Sequence, residues 1–164
     1  MPDESLTFDR ILTMLAATPP RIAELTDGLA ESQLHTAPGP DEWSANEVLA
    51  HLRACADVWG DSMIKIINED KPTIRAVNPR TWIGQTDYLE QEFAASLHAF
   101  AAQRAELLAV LERLTPEDWL RTATVTGAGK PLVRSVVFYA RWMASHERPH
   151  AKQIMRIVST VRQM

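Results

Sequence analysis

The 164-residue chain has a single cysteine, Cys55, so no disulfide can form within it, and a reducing, cytoplasmic setting is the expectation. No stretch approaches the roughly 20 consecutive apolar residues that cross a bilayer. The start, Met-Pro-Asp-Glu-Ser, lacks the basic residues that open a secretion signal. Positive charge is not in excess either: 17 Lys and Arg stand against 21 Asp and Glu, a formal net charge of -4. That balance removes the dominant basic surface a nucleic-acid binder needs. Internal repeats and low-complexity tracts are absent. What is present, 46% apolar and 23% charged residues, suits one domain spanning 1–164 with enough length for a real core.

Apolar residues recur at helical spacing in four segments. Leu6, Phe8, Ile11, Leu12 and Leu15 begin the first, and Ile22, Leu25 and Leu29 resume it after Pro19-Pro20; the reading is one long helix kinked or broken at the prolines. His35 to Asp41, with Pro38, Gly39 and Pro40, is a loop. Ser44 as N-cap with Glu47 three residues on forms a capping box, and Trp43 with Val48 a hydrophobic staple. A helix from Ser44 to about Asn68 follows. Asp70 to Thr86 reads as a long connection carrying Trp82. A third helix runs from about Tyr88 to Leu114, and Thr115-Pro116-Glu117-Asp118 caps a further turn carrying Trp119. Arg121 to Val133 alternates and then turns, which fits either a short β-hairpin or an irregular crossover. The fourth helix is expected from about Arg134 to Val161. The whole reads as an all-α four-helix bundle with long connections.

Three histidines carry the chemical information. His146 and His150 are four residues apart, which on a helix places both imidazoles on one face. On a helical projection Arg134, Arg141, Arg148, Lys152 and Arg156 share the opposite, solvated face. His51 sits at the core-facing edge of its own helix beside Cys55. Three imidazoles converging from two helices suit a divalent metal with an open coordination position. A lone histidine on an apolar face is more often a hydrogen-bonded core residue; His35 in a loop and His98 on the third helix, which lack a partner pattern, are read as surface or structural.

His146-Glu147-Arg148-Pro149-His150 also matches His-Glu-x-x-His, the zinc-protease signature in which the glutamate is the general base. Three features argue against it. Pro149 removes a backbone donor inside the motif, no acidic residue follows Glu147 to serve as third ligand, and Glu147 points about 100° around the helix from His146.

The segment Trp43-Ser44-Ala45-Asn46-Glu47-Val48-Leu49-Ala50-His51-Leu52, taken with His146-x-x-x-His150-x-x-Gln153-Ile154, resembles the DinB/YfiT-like family of bacterial four-helix-bundle proteins. The resemblance implies an up-up-down-down bundle, frequent homodimers and a divalent metal held by three histidines, carried over here to His51, His146 and His150. It further implies a small-molecule substrate, because characterised relatives use the metal to activate a low-molecular-weight thiol for S-transfer or isomerisation, or to hydrolyse small molecules. Pro149 departs from the family pattern within the ligand turn.

With zinc or nickel at such a site, bound water acquires a pKa of about 7 or a coordinated thiol is deprotonated, so thiol transfer and hydrolysis both remain open. Gln153 is placed to orient a ligand. Tyr139 and Trp142 are candidate cavity residues as well as packing aromatics, and Cys55 is a candidate neighbour of the site or a buried, inert thiol. The catalytic residue is not identified by the sequence. A non-catalytic stress-related binding protein with a structural metal is the alternative. A homodimer is expected, with Trp82 and Trp119 as candidates for cover by a partner.

Overall fold

A computed structural model of the protein describes residues 4–164. Residues 1–3, which belong to the expected 1–164 domain and to the start read as lacking a secretion signal, lie outside the described residues. Four long helices build the bundle: α1 (Phe8–Thr26), α3 (Ala45–Asn68), α5 (Phe93–Leu111) and α7 (Val136–Val161). Three single-turn helices, α2 (Glu31–Leu34), α4 (Pro79–Trp82) and α6 (Pro116–Trp119), punctuate the connections. Both α5 and α7 pack against both α1 and α3, so consecutive long helices α1 and α3 are diagonal rather than adjacent. This is the up-up-down-down arrangement, made possible by long crossovers. Among the described residues no helix is long and apolar enough to cross a membrane.

The expected start of α3 is found. Ser44 Oγ accepts from Glu47 N and Glu47 Oε1 accepts from Ser44 N, each at 3.1 Å. The first helix differs from its reading: it begins at Phe8, capped by Thr7, and runs unbroken through Pro19 and Pro20. Proline at position 19 deprives the Leu15 carbonyl of its helical donor. Buried Arg104 supplies a replacement, Nη1 donating to that oxygen at 2.8 Å, so the helix continues where local rules end it.

Other boundaries also move. The third helix starts at Phe93, not Tyr88, because its first amide is capped from afar: Phe93 N donates to Glu31 Oε1 of α2 at 2.7 Å. It closes at Leu111, short of Leu114. The alternating stretch does form a hairpin, β2 (Thr122–Thr126) with β3 (Leu132–Ser135), and Arg134 belongs to β3 rather than to the last helix. The connection after α3 contributes a third strand, β1 (Thr73–Arg75), parallel to β2 with Thr73 opposite Thr124. Trp119 needs no partner molecule for cover: it is 3% exposed and stacks on Phe8 with ring centroids 4.9 Å apart.

Asp57 of α3 fastens the long connection. Its Oδ2 accepts from Trp82 Nε1 at 3.0 Å and from Tyr88 OH at 2.5 Å, and its Oδ1 from Gln103 Nε2 at 2.7 Å. Burial, then the bond to Asp57, pushes the Tyr88 phenol up to about 12, so it remains a donor. Next to it Arg53 lies over the Tyr88 ring at 3.8 Å and donates to Gln91 and Ser96.

Candidate metal centre

The second turn of α3 and the middle of α7 face each other across the bundle. His51 Nε2 lies 3.2 Å from His146 Nε2, which lies 3.1 Å from His150 Nε2. The three ring centroids are 4.5–5.1 Å apart. The helical period alone brings His146 and His150 together; packing of α3 on α7 brings His51 to them across 95 residues of chain.

Ring nitrogens aimed at one another repel unless a proton or a cation lies between them. Two nitrogens each about 2.0–2.1 Å from one ion stand about 2.8–3.4 Å apart, for angles between a right angle and the tetrahedral one. The two observed separations fall in that interval, so His146 fits a divalent metal shared with either neighbour. Burial and the neighbouring His150 lower the pKa of His51 to about 4, and burial with the same neighbour lowers His146 to about 3. Both rings are therefore neutral at pH 7, with a lone pair free for coordination. His150 Nδ1 lies 2.8 Å from Gln153 Oε1; the amide oxygen only accepts, so the ring proton sits on Nδ1 and Nε2 presents its lone pair to the cluster. His146 Nδ1 is buried without a hydrogen-bond partner.

Cys55, one turn after His51, adjoins the site. Its Sγ lies 3.6 Å from His51 Nε2, and one donor atom from each of His51, Cys55 and His146 lies within 4.8 Å of the others. His150 joins this set through its contact with His146. Burial and then the charge of Glu147 push the Cys55 thiol up to about 12, so without a metal it is protonated.

Glu147, the central glutamate of the His-Glu-x-x-His pattern, turns away from the histidines. It is 3% exposed and held by Arg104 and Thr18 toward α5 and α1, which removes it as a general base at this site. Gln153 and His150 line a cleft of about 600 Å³, together with Trp43, Arg80, Asp41, Glu42 and Arg156. Tyr139 and Trp142 are not among its lining residues. Trp142 stacks on Trp59, whose ring edge meets His146 at 5.0 Å between centroids. Tyr139 packs on Phe138, about two helical turns before His146.

Sequence reasoning assigned Trp43 to a staple and did not single out Arg80. The Trp43 ring lies 5.3 Å from that of His51 and nearly parallel to that of His150 at 6.4 Å. Its place directly before the Ser44 cap, two turns ahead of His51, was the available signal. Arg80 has none in the sequence, because the connection reaches the site only through the tertiary fold.

The chain is similar to known proteins in sequence and in fold. A Geobacillus kaustophilus (strain HTA426) protein carrying the name "Putative metal-dependent hydrolase GK0616" is 26% identical over 148 residues, covering 87% of this chain and 79% of its own. Bacillus subtilis YfiT, described as a probable metal-dependent hydrolase with an unusual four-helix bundle topology, superposes with a TM-score of 0.80 at 19% identity, over 96% of this chain and 90% of its own. The sequence profile of the DinB superfamily matches residues 14–154, and the chain belongs to that superfamily.

Proposed function

We propose that the protein is a metal-dependent enzyme acting on a small molecule, with His51, His146 and His150 as the ligands of one divalent ion, zinc or nickel. The observation that carries this reading is the convergence of three Nε2 atoms from two helices beside an open cleft. Hydrolysis is the reaction favoured, supported by the names given to the Geobacillus and Bacillus proteins. A divalent ion held by three neutral imidazoles supplies a Lewis acid that makes a nucleophile of water or thiol at neutral pH. The chain supplies the rest: Gln153 holds the His150 tautomer, Trp43 and Trp59 wall the imidazoles, and the cleft admits the substrate. Transfer to a low-molecular-weight thiol is the variant of this chemistry that needs a cofactor from outside, since Cys55 is 2% exposed. The expected homodimer and cytoplasmic location remain parts of the proposal.

Metal analysis of protein purified without a polyhistidine tag, followed by a panel of esters, amides and thiol-conjugating electrophiles, tests the assignment. Turnover that needs the metal and disappears in His51→Ala supports it; no turnover above free metal sinks the catalytic part. One observation favours a second reading, a structural metal in a binding protein: Cys55 Sγ is 3.6 Å from His51 Nε2, close to the separation of about 3.5 Å expected for sulfur and nitrogen on one tetrahedral zinc. A thiolate charge-transfer band in the cobalt-loaded protein alone, lost in Cys55→Ser, identifies that closed site.

A further inference from the structure

The turn that carries Arg80 is built to hold still. Asn78 Oδ1 caps it by accepting from Arg80 N at 2.9 Å, and Pro79 at the first helical position fixes its entry. Two residues on, Trp82 is tied to Asp57 of α3. The Arg80 side chain takes no part in this anchoring. It extends to the cleft, its guanidinium carbon 5.9 Å from the centroid of Trp43, the aromatic that also faces His51 and His150. Among the described residues no carboxylate pairs with it within 4.0 Å.

Two arginines, Arg80 and Arg156, and two acidic residues, Asp41 and Glu42, line the cleft. Arg80 meets the cleft at Trp43, the ring that faces His51 and His150, whereas Asp41 and Glu42 belong to the loop ahead of α3. An unpaired guanidinium carried on a fixed turn beside a reaction centre presents a planar fork matched to a carboxylate. The balanced charge of the whole cleft favours a single negative charge over a doubly charged group.

We infer that Arg80 is a specificity-determining residue that receives a carboxylate of the substrate, a few bonds from the atom presented to the histidine cluster. This rests on the metal reading above, and it narrows the substrate to a small carboxylate-bearing molecule.

The test uses full-length protein loaded with cobalt(II) and two metal-seeking probes, 3-mercaptopropionate and its neutral amide 3-mercaptopropanamide, titrated while the thiolate-to-cobalt absorption is followed. Wild type is expected to prefer the carboxylate over the amide, and Arg80→Gln to reduce that preference by about five- to tenfold, the worth of a partly exposed charge-assisted pair. Arg80→Lys should retain part of it. Comparing the same ratio between variants cancels intrinsic differences between the thiols, including chelation by the carboxylate. Arg80 is exposed and its side chain makes no hydrogen bond needed for the turn, so thermal unfolding of each variant should match wild type. Cobalt uptake with an unchanged preference in Arg80→Gln overturns this inference and leaves the metal reading standing. Failure of the wild type to take up cobalt removes both.

Discussion

Arg104 grips Glu147 by both carboxylate oxygens inside the bundle, Nη1 to Oε1 at 2.8 Å and Nη2 to Oε2 at 2.5 Å, with the two residues 2% and 3% exposed. The same guanidinium donates to the Leu15 carbonyl orphaned by Pro19, and Thr18 donates to Glu147 at 2.8 Å. One ion pair thereby joins α1, α5 and α7 and holds α7 in the rotation that turns His146, the neighbour of Glu147, toward α3.

Removing one partner strands a buried charge. Glu147→Leu or Arg104→Met alone should lower unfolding free energy by about 3–5 kcal/mol in urea titrations, whereas the double variant should recover much of that loss. Equal destabilisation by the single and double variants would show the pair to be uncoupled.

Each of His51→Ala, His146→Ala and His150→Ala should lose metal while keeping wild-type helical circular dichroism. Gln153→Ala removes only the acceptor that fixes the His150 ring, and should weaken metal affinity by about ten- to a hundredfold, as loss of an outer partner does. Competition with a chromogenic chelator measures both.

The metal-free protein should lose stability in acid. His51 and His146 have folded-state pKa values lowered to about 4 and about 3 from 6.5, so below pH 6.5 the unfolded chain binds protons that the folded one excludes. Stability attributable to these residues is full above that pH and falls as pH drops toward 4 and then 3. Urea midpoints between pH 7.5 and 4.5 should fall with pH, and the fall should be shallower in the double variant His51→Phe/His146→Phe.

Cys55 should resist modification. A thiol pushed up to about 12 by burial and 2% exposed offers almost no accessible thiolate at pH 8. An aromatic disulfide reagent should react with it at the rate of local or global opening, and react promptly in denaturant. Fast labelling of the native, metal-free protein would contradict the described burial.

By itself the sequence determined what depends on near neighbours. The Ser44–Glu47 box, the length of α3 and the shared face of His146 and His150 all follow from the 3.6-residue period and from capping groups within three residues. Tertiary structure alone decided what depends on distant partners. Only packing supplies Arg104 to the carbonyl freed by Pro19, Glu31 to the first amide of α5, Thr124 to Thr73 across the sheet, and Arg80 to the cleft beside His150. The physical reason is common to all four: a donor, acceptor or charge is satisfied by whichever group the fold brings within about 3–6 Å, and separation along the chain carries no record of that distance.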